Sequence, residues 1–264
     1  MLKFYQKSEI WFAVFWIIVY VVGTGLADGI STAIGVASSV TAAFHLIMTA
    51  ILLIWIFKNN LQKKYGLCKS EIKIKYLLFY LPLFVLVSIN FWFGINIKLS
   101  VIEVVLYIVS MLCVGFLEEI IFRGFLFKAM EKDSLKWAII VSSITFGIGH
   151  IVNLLSNMGT NIVSNLCQVV YAIAVGFLFV IIFYKGKSLL PSIFAHGLFN
   201  AFAVFSNGAV ITGTTEIIVS LVIVALAVIY SLIIIFLSPK ATEKTKVLYQ
   251  KKKTNKTKKH TSIF

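Results

Sequence analysis

The sequence predicts an all-α polytopic membrane protein, a bundle of about eight transmembrane helices. Hydrophobic residues make up 60% of the 264 residues, charged residues only 13%, and the mean hydropathy is +0.98. Soluble domains average about 45 to 50% apolar and about 25% charged residues, so a soluble core would not bury this much apolar surface. The apolar runs are too long, and lack the alternation, for strands of a membrane β-barrel.

The apolar residues fall into eight runs, most of them near the length of about 20 residues that a helix needs to cross the hydrocarbon. Since only helices and closed barrels satisfy every backbone polar group in lipid, each run is interpreted as one span. The predicted spans are residues 10–26, 36–57, 76–94, 101–127, 137–155, 162–184, 189–206 and 215–237. The first span is long and rich in aromatic residues, which favours a retained anchor over a cleaved signal peptide.

The basic residues indicate the topology. When the connecting segments are assigned to alternate faces, all 24 Lys and Arg residues except Lys98 lie on one side. The positive-inside rule then places both termini in the cytoplasm, which requires an even number of spans. The net charge of +14 is therefore explained by topology in the cell membrane, and no nucleic-acid partner is expected.

The chain is predicted to form a single transmembrane domain over residues 1–238 and a basic tail over 239–264. The tail has too few apolar residues to fold, so it is expected to be disordered and to lie against anionic lipids. Cys68, Cys113 and Cys167 show no paired spacing and are interpreted as packing residues.

Two carboxylates stand inside the fourth apolar run, in the pattern Glu118-Glu119-x-x-x-Arg123. A carboxylate in the bilayer costs a few kcal/mol, so such residues face the protein interior and usually serve function. Residues four apart share a helical face, so Glu119 and Arg123 are predicted to form an ion pair. Glu118 points about 100° away and is predicted to be the chemically active carboxylate.

Two histidines and an asparagine stand in later spans. His150 follows Phe146-Gly147-Ile148-Gly149, whose glycines would allow close approach of a neighbouring helix. His196 and Asn200 are four apart and share a face. At about 1.5 Å per residue, these groups and Glu118 are predicted to lie about 11 to 20 Å deep, in one layer.

Such a cluster supports amide hydrolysis. A carboxylate and a neutral imidazole can deprotonate a water molecule, while a second imidazole and an amide can donate to the oxyanion of the tetrahedral intermediate. No serine or cysteine stands in a recognisable nucleophile pattern. His45 matches no motif and is predicted to be an interhelical hydrogen-bonding residue.

The motifs EExxxR, FxxxH and HxxxN, in this order on successive spans, resemble those of the CAAX protease and bacteriocin-processing family (CPBP or Abi family) of glutamic intramembrane endopeptidases. The resemblance covers a core of about residues 101–205. It implies a cofactor-free site in which Glu118 and His150 activate water and His196 and Asn200 form the oxyanion hole, with Glu119 and Arg123 in support. The implied substrate is a membrane-associated peptide or a lipidated protein.

Three alternatives stay open from the sequence. Zinc held by the two histidines and a glutamate would suit a metalloprotease, although there is no HExxH motif. Family members also act in bacteriocin immunity, so a non-enzymatic immunity or interaction protein is the second function considered. A proton-coupled transporter that uses the paired glutamates is the third.

Overall fold

The computed structural model describes residues 1–73, 76–153 and 161–237. Within these stretches the regular structure is helical, apart from an isolated antiparallel bridge between Ile95 and Ser206. The predicted tail, and the end of the predicted span 137–155, lie outside the described residues. The helices are α1 Leu2–Lys7, α2 Glu9–Ile34, α3 Ser39–Lys58, α4 Leu77–Ser88, α5 Val101–Glu118, a π-helical segment Glu119–Phe127, α6 Lys128–Met130, α7 Leu135–Gly149, α8 Ile162–Gly186, α9 Leu190–Phe202 and α10 Thr214–Leu237.

Each predicted apolar run contains one apolar helix, and the prediction of an all-helical polytopic membrane protein is confirmed. Among the described residues, five helices are long and apolar enough to cross a membrane, with α5, the π segment and α6 forming a single helix of 30 residues. Three more are shorter: Leu78–Phe91, Leu135–Gly149 and Leu190–Phe205. The number of crossings and the side of the termini stay predictions.

The loops define two ends of the bundle. At the lysine-rich end, Lys64 Nζ pairs with Glu9 Oε2 at 2.8 Å, and Leu189 N donates to Gly66 O at 2.9 Å. At the opposite end, Ala37 N donates to the Glu103 carboxylate at 3.1 Å. These contacts join segments that are far apart in the sequence and fix the ends of the helices relative to one another.

α2 is longer than the predicted first span and continues through Asp28 to Ile34. The extension carries polar side chains that find partners within the protein. Ser31 Oγ donates to Ala27 O at 2.9 Å, and Thr41 of α3 donates to the Asp28 carboxylate. Because these bonds satisfy the polar groups, the helix extends beyond its most apolar stretch.

Two glycine contacts bring the motif-bearing helices together. A Cβ at Gly115 of α5 would lie 2.4 Å from the backbone N of Gly197 in α9, and one at Gly147 of α7 would lie 2.7 Å from Ile173 N in α8. The predicted close approach at Gly147 is confirmed. The one at Gly149 is not seen among the described residues, because none of their atoms lies within 4 Å of a Cβ added there. The space beside Gly197 is occupied by α5, because a Cβ at Gly197 would lie 3.3 Å from the Leu112 Cα.

Candidate active site

The paired glutamates lie where α5 changes into the π segment. Both are buried, with 8% of Glu118 and 0% of Glu119 exposed. Backbone hydrogen bonds in a π-helix run from residue i to i+5 instead of i+4, and such segments are frequent at functional sites. The EExxxR pattern predicts a regular α-helix, so the π segment is not predicted from the sequence. The π segment begins at Glu119, beside Glu118, and includes Arg123.

Glu119 and Arg123 form the predicted ion pair, with Nη1 and Oε1 3.1 Å apart and both side chains fully buried. The Arg123 guanidinium carbon lies 4.0 Å from the centre of the Phe146 ring. Apart from this contact with Glu119, its nitrogens have no polar partner among the residues that the structure describes. The carboxylate and the ring face therefore hold this cation in place, which gives the Phe of the FxxxH motif a physical role.

His196 lies between the two glutamates. Its Nδ1 donates to Glu119 Oε1 at 3.0 Å, and its Nε2 lies 3.3 Å from Glu118 Oε2. Rings of Phe146 and Phe179 pack against the imidazole, with centroids 5.7 and 5.6 Å away. The carboxylate contacts and the ring packing thus fix the imidazole within the bundle.

Glu118 has a second partner that sequence reasoning missed. Tyr20 of α2 donates its hydroxyl to Glu118 Oε1 at 2.7 Å, in a buried hydrogen bond. The sequence held a signal for it, because Tyr20, Thr24 and Asp28 follow one another at four-residue spacing and form a polar stripe on an apolar helix. The two carboxylate oxygens of Glu118 therefore face different helices, Oε1 towards α2 and Oε2 towards α9.

His150 caps the end of α7. Asn165 of α8 donates its side-chain amide to the His150 carbonyl at 2.9 Å, and the Phe146 and His150 rings meet edge to face at 5.4 Å. Asn165 is almost fully buried and was also missed from the sequence. It holds the backbone from which the His150 side chain extends.

Two cavities meet at Phe146 and His150. The polar cavity has a volume of about 90 Å³, and its lining includes Glu118, Tyr20 and Asp28. The apolar cavity has a volume of about 50 Å³, and its lining includes His196, Asn200, Gln168, Tyr171 and Phe179. The four predicted catalytic residues are thus together: Glu118 on the polar cavity, His196 and Asn200 on the apolar one, and His150 on both.

His45, the remaining histidine in the predicted spans, forms hydrogen bonds between helices. His45 Nε2 lies 3.0 Å from Thr24 Oγ1, and its Nδ1 lies 2.9 Å from Ser110 Oγ. These bonds tie α3 to α2 and to α5. His45 is therefore an interhelical hydrogen-bonding residue, as predicted.

The zinc alternative requires three ligands from the histidines and the glutamates to come together. Over residues 1–73, 76–153 and 161–237, no three His, Cys, Asp or Glu side chains are grouped so that they could hold a metal ion.

Comparison with known proteins gives a match to a family model and a match to a relative. Residues 100–202 match the family model described as type II CAAX prenyl endopeptidase Rce1-like. A Bacillus subtilis (strain 168) protein named "Putative membrane peptidase YdiL" is 35% identical over 109 residues, which cover 40% of this chain and 39% of the Bacillus protein. The match thus spans well under half the length of that relative. The segment of residues 100–202 contains all three motifs and both glycine contacts, and it is similar to the type II CAAX prenyl endopeptidase family.

Proposed function

We propose that this protein is a glutamic intramembrane endopeptidase, which hydrolyses a peptide bond in a membrane-associated peptide or protein. The observation that carries the proposal is the position of Glu118, which contacts Tyr20 and His196 and faces a polar cavity shared with His150. A buried carboxylate and imidazoles beside space for water are what general-base hydrolysis requires. The family of residues 100–202 and the name of the Bacillus relative support peptide hydrolysis.

In the proposed reaction the polar cavity supplies the water molecule and the apolar cavity holds the peptide. Water in the polar cavity loses a proton to Glu118, assisted by His150, and its oxygen attacks the carbonyl carbon of a peptide in the apolar cavity. Asn200 and the imidazolium form of His196, whose Nδ1–H donates to Glu119 while its Nε2–H faces the reacting atoms, line the apolar cavity and donate to the oxyanion that forms. The tetrahedral intermediate then collapses, the C–N bond breaks, and Glu118 returns the proton to the leaving amine.

Glu119 and Arg123 act by positioning His196. The Glu119 carboxylate accepts from Nδ1, and this leaves Nε2 directed at Glu118 and the reacting atoms. Partners that fix the orientation of a catalytic imidazole are a general feature of such sites. We assign these two residues a supporting role.

The substrate class follows from the cavity linings. The apolar cavity is lined by aromatic and aliphatic side chains such as Leu86, Phe179 and Phe199. Such a lining suits the apolar side chains of a peptide that enters the protein from the lipid. We infer a multi-pass protein of the cell membrane with both termini in the cytoplasm, because of the strong bias of lysine towards one end. The basic tail is proposed to bind anionic lipid.

The test is cleavage by purified protein in liposomes that carry a library of membrane peptides, with products identified by mass spectrometry. Wild-type protein is expected to release defined fragments, and Glu118→Ala and His150→Ala to release none. Equal cleavage by the wild type and both variants would refute the proposal. In cells, protection against a bacteriocin that persists fully in Glu118→Gln would instead favour a non-enzymatic immunity protein.

A further inference from the structure

The polar cavity is bounded by a helix outside the family-matched segment. α2 contributes Tyr20, Thr24, Gly25 and Asp28 to its lining, whereas residues 100–202 contribute the wall with Glu118 and His150. Two of the α2 side chains are fixed by other helices. Thr24 contacts the His45 imidazole at 3.0 Å, and Asp28 accepts from Thr41.

The cavity extends from the candidate catalytic carboxylate towards the opposite end of the bundle. Tyr20, at its inner end, is bonded to Glu118, and Asp28 is eight residues further along α2, about 12 Å away. Asp28 is exposed, and it lies about 9 Å before the end of α2 at the end away from the lysines. The polar lining thus runs from the buried Glu118 to the surface of the bundle.

Its size and chemistry suit water. A water molecule occupies about 30 Å³ of liquid and needs two to four polar partners. The cavity has about 90 Å³, with carboxylate, hydroxyl and imidazole groups along it. The apolar cavity on the other side of Phe146 also has polar residues in its lining, but most of its surface is apolar, which suits an apolar side chain of the substrate.

We propose that the polar cavity is the water port of this protein, through which water reaches Glu118 from the membrane face opposite the lysine-rich end. The assignment of this water as the nucleophile rests on the proposed function. The port itself is a statement about hydration and can be tested without any substrate.

The first test uses two adjacent positions on α2 at the same depth. Gly25 lines the cavity, and no atom of the described residues lies within 4 Å of a Cβ added to it, whereas Leu26 is 65% exposed on the outside of the bundle. Gly25→Cys and Leu26→Cys are made in protein whose three natural cysteines are replaced by alanine, and a charged thiol reagent is added to one side of sealed proteoliposomes. Only an ionised thiolate in contact with water reacts at an appreciable rate.

The port predicts that Gly25→Cys reacts at least about tenfold faster than Leu26→Cys, and only from the face opposite the lysine-rich end. Equal rates at the two positions would overturn the proposal. Labelling of Gly25→Cys only from the lysine-rich side would overturn the proposed direction and the port with it.

The second test blocks the polar cavity with a larger side chain. Gly25→Leu places a side chain in the cavity, and Gly29→Leu, one turn later on α2, is the matched control because Gly29 also has open space around an added Cβ and does not line the cavity. Gly25→Leu is expected to lower kcat for peptide cleavage at least about tenfold with little change in KM, and Gly29→Leu to leave both unchanged. Wild-type kcat in Gly25→Leu would contradict the port.

The two tests separate the port from the proposed function. If cleavage does not depend on Glu118 but Gly25→Cys is labelled fast and from one face only, the proposed protease function is refuted and the proposed water port still stands. If the protein cleaves peptides but Gly25→Cys is not labelled, the protease function stands and the water port is refuted.

Discussion

His196 Nδ1 lies 3.0 Å from Glu119 Oε1, and the same carboxylate oxygen lies 3.1 Å from the Arg123 guanidinium. One carboxylate therefore connects a fully buried cation to the imidazole that faces Glu118. A buried ion pair is costly to break, since removal of one partner leaves the other charge without compensation. The EExxxR motif thereby couples the stability of the bundle to the geometry of the site.

The first prediction concerns this ion pair. Arg123→Met leaves Glu119 charged and buried, so we expect a loss of about 3–5 kcal/mol of unfolding free energy, measured by chemical unfolding in detergent. The double variant Glu119→Gln/Arg123→Met is expected to recover part of the loss, because no lone charge is left. An Arg123→Met protein as stable as the wild type would contradict the assignment.

The second prediction concerns Tyr20. Tyr20→Phe removes the hydroxyl that holds Glu118 Oε1 and keeps the ring, so kcat for peptide cleavage should fall about tenfold while KM changes less than about twofold. The control is Tyr80→Phe, which removes a hydroxyl bonded to the Ile72 carbonyl at 2.6 Å near the lysine-rich end. A merely structural role for Tyr20 would lower the stability and leave kcat of the folded protein unchanged.

The third prediction concerns the contact between α5 and α9. Gly115→Ala places a methyl group 2.4 Å from the Gly197 backbone, which cannot move like a flexible side chain. The two helices that carry Glu118 and His196 must separate, with a loss of about 1–3 kcal/mol of stability and a lower kcat. Gly149→Ala is the control, since no atom of the part of the chain that the structure describes lies within 4 Å of its added Cβ. Equal thermal unfolding of both variants would show that the close approach is absent.

The fourth prediction concerns the oxyanion donor. Asn200→Ala should lower kcat by about 10²–10³ with little effect on KM, because the donor acts mainly on charge that develops in the transition state. Asn207→Ala, in the loop at the opposite end, removes an amide bonded to Asn96 and serves as the control. A raised KM with unchanged kcat would instead place Asn200 in substrate binding.

Much of this arrangement was predictable because charge in an apolar helix is rare and informative. Glu118, Glu119 and Arg123 stand out inside a run of apolar residues, and the four-residue spacing of the ion pair holds in the folded protein. His196 and Asn200 were grouped correctly by the same spacing argument. Hydropathy alone also located the eight apolar helices of the described residues, since lipid leaves the backbone few alternatives.

Other features depend on contacts between distant segments and could not be derived from spacing. The π segment changes the register at Glu119, and the partner of Tyr20 lies 98 residues away along the chain. Gly115 and Gly149 look alike in the sequence, yet only Gly115 is in tight contact with another helix. Tertiary packing decides between such positions, and a local pattern does not contain it.

The most direct measurement of the central claim is the cleavage rate of Glu118→Gln against wild type in liposomes, with Glu103→Gln as the matched control. Glu103 belongs to the capping box of α5, where glutamine also serves, so its replacement should leave the rate unchanged. The account predicts that Glu118→Gln lowers the rate at least about 10²-fold while the protein keeps its unfolding temperature. Cleavage by Glu118→Gln at the wild-type rate would contradict it.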